Sequence, residues 1–316
     1  MSAHASEPAS PKLAHTLLST PIQPTESPSG IAHSDPEALK KALETGIQTS
    51  PDAFFRSGIV VAFSGLRQDD DRERGHEPEV VGQLPLRLIT THLKSPTLDQ
   101  EAITTTRTFI IHPVHYTVFS AQNLLSSLMA SDTSSPLTRD EAVSRLDAVE
   151  VFPVFDFPAA AQAIGYVSAA LREMSKDVRL QQQQQSYNCR VVLVIAGLDT
   201  LVEGVIRASN PLKGAAVLGD ALREVTALAS LYGQLLSVVL VNTGGLGISS
   251  SGGGDGGAVN QDYSLSALLP SLMQKTLDQG VDRHLLVSRV GKGSSGRVVN
   301  VIKDRVGAGL GMRCVC

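Results

Sequence analysis

The sequence has no tryptophan, few aromatic residues and only three cysteines. Aromatic residues make up 4% of the 316-residue chain, so the core must consist of Val, Leu, Ile and Ala. That composition suits buried parallel strands covered by helices on both faces. Cys189, Cys314 and Cys316 are an odd number, which argues against a disulfide framework and favours a reducing compartment.

Long apolar runs and a strong charge bias are also missing. No apolar stretch approaches the roughly 18 residues of a membrane-spanning helix, so the sequence predicts no membrane association. The net charge of −4 and the pI near 6.1 argue against binding of nucleic acid over the whole surface. They leave room for a local basic patch. The pair Cys314 and Cys316 predicts two sulfur atoms on one face of a strand, but no metal ligand set is complete around it.

The order of segments predicts one large domain that follows a disordered tail and a short linker. Residues 1–34 are rich in Ser and Pro, and this composition predicts a disordered tail. Residues 35–57 are interpreted as a short helical linker, because Asp35-Pro36-Glu37 combines an N-cap, a proline at N1 and an acid in the first turn. Residues 58–316 are predicted to form the core domain.

Alternating apolar runs and helical patterns predict an α/β fold with a mostly parallel sheet. The predicted strands are 59–63, 107–112, 149–154, 191–195, 235–241, 285–290 and 298–302. The predicted helices are 120–129, 159–174 and 215–232. Residues 84–93 are ambiguous, and 65–82 and 244–257 are expected to be loops. The last two strands flank a short Gly/Ser segment, which predicts an antiparallel hairpin.

The stretch from about Arg190 to Cys316 resembles the C-terminal half of the RecA-type recombinase core, in its eukaryotic paralogue branch. The run 190–201 resembles the family's Walker B strand and the following turn, and 222–229 resembles the helix that precedes the next strand. Val239-Leu-Val-Asn-Thr243 resembles that next strand, and Arg289 to Arg305 resembles the closing basic hairpin. The resemblance implies a RecA-like P-loop NTPase fold.

The residues that the family uses to hold nucleotide are largely replaced. A P-loop needs G-x-x-x-x-G-K-[ST] after the first strand, whereas this chain has Ser64-Gly65-Leu-Arg67, followed by three aspartates at 69–71. Ala196 stands where the resemblance places the Walker B acid, and Asp199 follows three residues later. The resemblance therefore leaves a vestigial nucleotide site at Gly65, Arg67, Ala196 and Asp199. We expect no hydrolysis, no catalytic residue and no bound metal, with ATP and Mg²⁺ held only if the degenerate loop still binds.

Basic residues are concentrated near the C-terminus. From Arg283 to Cys316 there are seven Lys or Arg and one acid, which suits phosphate contact, although a solvated sheet edge explains the same charges. By position, the family's two DNA-binding loops fall at about 208–214 and 244–263, and the second has no Lys or Arg. The candidate DNA-binding residues are Arg207, Lys213, Arg289, Lys292, Arg297 and Arg305.

Three functions remain open from the sequence. The first is a non-catalytic recombinase paralogue of homologous-recombination repair in the nucleus. It would bind other recombinase-like subunits in a hetero-oligomer and contact single-stranded or branched DNA weakly on its own. The second is a DNA-dependent ATPase of the RecA type in which an unusual loop still binds ATP. The third is a structural assembly protein without DNA contact.

Overall fold

The structure is a computed structural model that describes most of the chain from residue 36 onward. The described residues are 36–48, 50, 52–67, 78–94, 104–130, 137–181, 188–247, 275–290, 296–307 and 309–316. The chain divides into two units, residues 1–33 and 34–316. The first unit, and with it the predicted Ser/Pro-rich tail, lies outside the described residues.

Helices and strands alternate along most of the second unit. The helices are α1 (Pro36–Thr45), α2 (Pro78–Lys94), α3 (Ala121–Met129), α4 (Arg139–Leu146), α5 (Phe157–Gln181), α6 (Leu198–Ala208) and α7 (Pro211–Leu231). The strands are β1 (Val60–Arg67), β2 (Thr104–Pro113), β3 (Val149–Val154), β4 (Asn188–Ala196), β5 (Leu236–Gly247), β6 (Arg283–Arg289), β7 (Arg297–Asp304) and β8 (Arg313–Val315). Residues 275–280 are also helical.

The strands form one eight-stranded sheet in the order β3-β2-β4-β5-β1-β6-β7-β8. All neighbours from β3 to β6 are parallel, whereas β7 is antiparallel to β6 and β8 is antiparallel to β7. The predicted α/β class, the mostly parallel sheet and the antiparallel C-terminal hairpin are therefore confirmed. Ile195 of β4 lies directly beside Leu240 of β5, as two central apolar runs should in a sheet that is covered on both faces.

Apolar layers cover the two faces of the sheet. One layer contains helices α1 to α4, through Leu39, Leu88, Leu124 and Ala142. The other contains helices α5 to α7, through Ile164, Val202 and Leu222. The segment that was interpreted as a linker contributes Leu39, Leu43, Ile47 and Phe55 to the first layer, so its apolar side chains are part of the core.

Local capping explains where several helices begin. The Ser120 side chain accepts the Asn123 N–H at the start of α3. Thr138 and Glu141 form a capping box at the start of α4, which corresponds to a T-x-x-E pattern in the sequence. Helix α2 resolves the ambiguity at 84–93, and it tolerates Pro85 in its interior.

The predicted loops are partly wrong. Residues 65–67 continue β1, and residues 78–82 begin α2, so only 68–77 remain between them and these lie outside the described residues. Likewise, 244–247 belong to β5. The end of the run 190–201, interpreted as the turn after the strand, begins helix α6 (Leu198–Ala208), because the apolar residues from Leu198 to Ile206 recur at helical spacing.

Candidate functional site at the carboxyl edge of the sheet

The carboxyl ends of the parallel strands meet at one edge of the sheet, which we call the carboxyl edge. Strand β5 lies there between β4 and β1. The chain leaves β1 for α2 on one face and leaves β4 for α6 on the other. In open α/β sheets, a crevice forms where successive connections diverge in this way, and ligands bind in it. The four residues that the resemblance assigns to a vestigial nucleotide site, Gly65, Arg67, Ala196 and Asp199, all fall at this edge.

Strand β1 continues past the point where a phosphate-binding loop would begin. Gly65 pairs with Val287 of β6, and Leu66 and Arg67 pair with residues 246 and 247 of β5, after a register shift between Ser64 and Leu66. A phosphate cradle needs backbone N–H groups that converge on one point, whereas backbone groups of a strand point to alternate sides. Gly65 therefore lies in a ladder, and the Arg67 side chain lies outside the described part of the structure.

The end of β4 offers a small apolar residue instead of an acid. Ala196 is completely buried. Asp199, in the first turn of α6, is also buried, and its Oδ1 accepts the Thr243 N–H at 3.1 Å and the Thr243 hydroxyl at 3.3 Å. This carboxylate thus ties the start of α6 to the end of β5. Among the described residues, no group of three or more His, Cys, Asp or Glu side chains could hold a metal ion.

Gly197 sets the direction in which the chain leaves β4. Its φ of +68° is in the left-handed region, and a Cβ there would lie 2.5 Å from Cγ of Pro113 at the end of β2. A larger residue would have to displace the proline ring, in a backbone conformation that costs side-chain-bearing residues free energy. Gly197 therefore fixes Asp199 in the position from which it reaches Thr243.

A buried polar chain crosses three strands beside this edge, and no local sequence pattern predicts it. The Asn242 amide donates to Ser64 Oγ at 2.7 Å, and Ser64 Oγ lies 2.7 Å from His284 Nε2. His284 Nδ1 lies 3.0 Å from Asp278 Oδ1. Hydrogen bonding to His284 is the main cause that lowers the pKa of Asp278, although burial opposes it.

The order of Ser64, His284 and Asp278 is that of a hydrolase triad, but its setting is different. Ser64 and His284 have no exposed surface, so a substrate carbonyl has no path to the serine oxygen in this structure. Each polar group is satisfied by the next one. The chain therefore cross-links β5, β1 and β6, and it attaches the helical turn at 275–280 to the sheet.

The candidate DNA-binding residues of the hairpin lie at opposite ends of its strands. Arg289 and Arg297 are cross-strand neighbours at the carboxyl edge, and the pKa of Arg297 is lowered first by burial and then by the Arg289 charge. Lys292 lies between them in sequence but outside the described residues. Arg305 follows the far end of β7, where it donates to the Gln279 carbonyl at 3.2 Å.

Arg283, which contributed to the basic excess in the sequence, is not a surface charge. Its side chain is buried against Asp304, with Nε 3.0 Å from Oδ1, and its guanidinium lies 4.3 Å from the centre of the Phe54 ring. The same guanidinium donates to the Phe54 carbonyl. Arg283 therefore joins β6 and β7 to the segment that precedes β1.

Arg207 and Lys213 do not lie on a long loop. Arg207 is in the last turn of α6, and its exposed guanidinium pairs with Glu203 at 2.9 Å. Lys213 is in the first turn of α7, where its backbone N–H is capped by Asn210 at 2.8 Å. Only residues 209 and 210 connect the two helices, so the loop that was expected at 208–214 is wrong.

Strand β3 forms an open edge of the sheet. The Thr108 N–H donates to Ala148 and the Val114 N–H donates to Val154, so in this parallel ladder even-numbered β3 residues bond to β2. Val149, Val151 and Pro153 consequently direct their backbone groups away from β2. We call residues 149–155 with Tyr166 the β3 edge surface.

The β3 edge surface carries exposed aromatic side chains. Phe155 is 85% exposed and Tyr166 is 53% exposed. Phe152 and Tyr166 lie with ring centres 5.3 Å apart. Strand groups that are directed away from the rest of the described sheet, beside exposed rings, are the features of a surface that accepts another strand.

No protein-family model matches the sequence, and no curated protein matches it significantly. Within the described residues, no helix is long and apolar enough to cross a membrane.

Proposed function

We propose that this chain is a non-catalytic member of the RecA-type recombinase family. It would act in the nucleus, in homologous-recombination repair, as a subunit that binds a related recombinase-like protein and contacts DNA. The resemblance of residues 190–316 supports the family. The sheet order is compatible with this family. By the resemblance, β4 is the Walker B strand and β1 is the Walker A strand, and the two lie on either side of β5 in the sheet.

The observation that carries the proposal is the continuation of β1 as a strand through Arg67. The position that would need a phosphate loop is occupied by a backbone ladder with β5. Beside it, Asp199 is bound to Thr243 instead of being directed towards a metal ion. The negative charge of Asp69, Asp70 and Asp71 would also repel a polyphosphate. These features together favour a binding subunit over a hydrolase.

The partner surface that we propose is the β3 edge surface, and its occupant is an extended segment of a related subunit. Val149 and Val151 can each offer an N–H and a C=O to an incoming strand, whereas Pro153 can offer only its C=O. Such strand addition obtains affinity from main-chain hydrogen bonds and specificity from side-chain contacts. Phe155 and Tyr166 provide the exposed rings that would contact the added strand.

DNA contact is proposed at the carboxyl edge through Arg289 and Arg297, with a contribution from Lys292, which lies between them in the sequence. The three cations suit phosphate oxygens. The sequence between 244 and 263 has no Lys or Arg, so affinity would be weak for the isolated chain and would rise when a partner adds its own cations. A structural assembly protein would use the β3 edge surface and have no such contact.

The alternative function is an ATP-binding ATPase in which residues 65–74 bind nucleotide unusually. Arg67, Arg72 and Arg74 are the cations that favour it. Thermal stabilisation by ATP separates the two functions. An ATP-binding protein should gain about 2.7 kcal/mol of stability at an ATP concentration a hundred times its Kd, whereas the non-catalytic subunit should gain none.

Affinity purification from cells of the natural source tests the partner proposal. We expect the tagged chain to retain a protein whose sequence carries an intact G-x-x-x-x-G-K-[ST] motif. Val151→Pro, which removes an outward N–H, and Phe155→Ser should each abolish retention. Leu231→Ser is the matched control, because Leu231 is 73% exposed and lies on α7. Retention that survives both β3 changes, or a retained protein without that motif, contradicts the proposal.

A further inference from the structure

Cys314 and Cys316 form a dithiol pair that has no part in the proposed function. Their sulfur atoms lie 3.4 Å apart. Cys314 is 3% exposed, whereas Cys316 is exposed. The Cys316 backbone is held to Arg297 of β7 by two hydrogen bonds of 2.8 Å. The structure therefore places one accessible thiol directly beside one protected thiol.

We propose that this pair is a thiol–disulfide exchange site that reacts with a low-molecular-weight disulfide of the glutathione type. The Cys316 thiolate attacks one sulfur of that disulfide and releases one thiol, which leaves a mixed disulfide on Cys316. Cys314 then loses its proton and attacks the Cys316 sulfur, which forms the Cys314–Cys316 bond and releases the second thiol. The two protein thiols are oxidised and the small disulfide is reduced to two thiols.

The difference in exposure sets the order of the two steps. A small disulfide can reach Cys316 from solvent, but it cannot reach Cys314. Reaction at Cys316 therefore comes first, and the protected sulfur acts only within the molecule. This is the arrangement of an attacking thiol with a neighbouring resolving thiol.

The first step also prepares the second. The pKa of Cys314 is raised to about 12, first by burial and then by the hydrogen bond and the charge of Cys316. A mixed disulfide on Cys316 removes both contributions of that residue. The Lys40 charge, which lowers the pKa of Cys314, stays in place. Cys314 consequently becomes easier to deprotonate once its neighbour is modified.

Closing the bond has a structural consequence for β8. Two residues that are i and i+2 in an extended strand have Cα atoms about 6.6 Å apart, which is more than the roughly 5.5–6 Å that is usual for a disulfide. Bond formation therefore pulls this end of β8 out of its extended form. The two hydrogen bonds between Cys316 and Arg297 are the nearest contacts that would give way.

The test uses the full-length reduced protein and glutathione disulfide, with samples alkylated at intervals and mapped by mass spectrometry. We expect a transient glutathione adduct on Cys316, then an intrachain Cys314–Cys316 disulfide that dithiothreitol reverses. Cys314→Ser should stop the reaction at the adduct, with Cys314→Ala as a second variant if the first fails to fold. Cys316→Ser should abolish the reaction, and Cys189→Ser, which removes the buried thiol of β4, should leave it unchanged.

Hydrogen exchange tests the structural consequence, because oxidation of a passive surface thiol would not change amide exchange in β7. In the oxidised protein, the Arg297 amide should exchange at least several-fold faster, whereas amides of the central strand β4 should be unaffected. A stable adduct on Cys316 in the unsubstituted protein, a disulfide that forms only between two chains, or no reaction would each overturn the proposal.

Discussion

His92 of α2 shows how one buried side chain can make stability depend on pH. Its side chain is 5% exposed, and neither ring nitrogen has a hydrogen-bond partner among the described residues. Burial is the main cause that lowers its pKa to about 4, and the Arg190 charge acts in the same direction. His92 is therefore neutral in the folded protein at pH 7, and also at pH 5.

The unfolded chain binds a proton at His92 below pH about 6.5, whereas the folded chain does so only below about 4. The contribution of His92 to the free energy of unfolding is therefore fully present above pH 6.5 and is lost as the pH falls towards 4. The loss is on the order of 3 kcal/mol, from 1.36 kcal/mol per unit of pKa. Burial also lowers the pKa of His112, so this residue adds to the same slope.

Replacing His92 by leucine should reduce the acid-side slope and raise the free energy of unfolding at pH 7. The gain should be about 1–3 kcal/mol, because two buried nitrogen atoms without partners are removed. Urea unfolding between pH 4 and 7 measures both effects. His115→Gln is the control for an exposed histidine; it acts on the slope only through the His115 charge, the smallest cause that lowers the pKa of His112. An unchanged slope in His92→Leu would show that His92 is not the buried neutral group described here.

At the scale of elements, the ion pair between Arg283 and Asp304 joins the two strands of the β6–β7 hairpin, and Arg283 also contacts Phe54 before β1. The Arg283 and Asp304 side chains are 6% and 0% exposed, and Asp304 also accepts the N–H groups of Val306 and Gly309 at 3.0 Å. A buried charge that loses its partner is far more costly than a broken surface pair.

Asp304→Asn should therefore lower the free energy of unfolding by about 3–5 kcal/mol, because the Arg283 charge is left uncompensated. Asp220→Asn is the control: Asp220 pairs with Arg223 but is 67% exposed, and its loss should cost less than about 1 kcal/mol. Chemical denaturation compares the two variants. Equal effects would mean that the Arg283–Asp304 pair is effectively solvated.

Apolar patterns made the sheet predictable, whereas long-range polar contacts were not predictable. The run 191–195 is entirely apolar and 235–241 is interrupted only by Ser237, which predicts buried strands, and Ile195 and Leu240 are direct partners in them. The chain from Asn242 through Ser64 to His284 joins residues that are up to 220 positions apart, and no local signal connects them. Helix α6 was missed because the resemblance suggested a turn there.

For the whole molecule, the C-terminal basic residues are divided between the two ends of strand β7. Arg289 and Arg297 lie at the carboxyl edge, and Arg305 lies near the opposite end of β7. The charges that appeared as one basic segment in sequence are therefore separated in space. The structure makes a distinction that the sequence could not make, because β7 reverses the direction of the chain.

This separation predicts which cations contribute to the salt dependence of DNA binding. Affinity for single-stranded DNA should fall with salt, with a log–log slope of about −0.7 per phosphate neutralised. Reversing Arg289 and Arg297 to Glu should flatten the slope, whereas Arg305→Glu should leave it nearly unchanged. Fluorescence anisotropy, with and without the captured partner, measures the slope. Equal effects of the three changes would contradict a DNA surface at the carboxyl edge.

Isothermal titration calorimetry with Mg-ATP tests the central claim most directly, namely that the carboxyl edge beside β1 no longer accepts a nucleotide. The account predicts no saturable heat at millimolar ATP and no thermal stabilisation, because strand pairing holds Gly65–Arg67 and Asp199 is bound to Thr243. Saturable binding that is lost in Arg67→Ala or Arg72→Ala would contradict it. Such a result would favour an ATP-binding enzyme with an unusual loop.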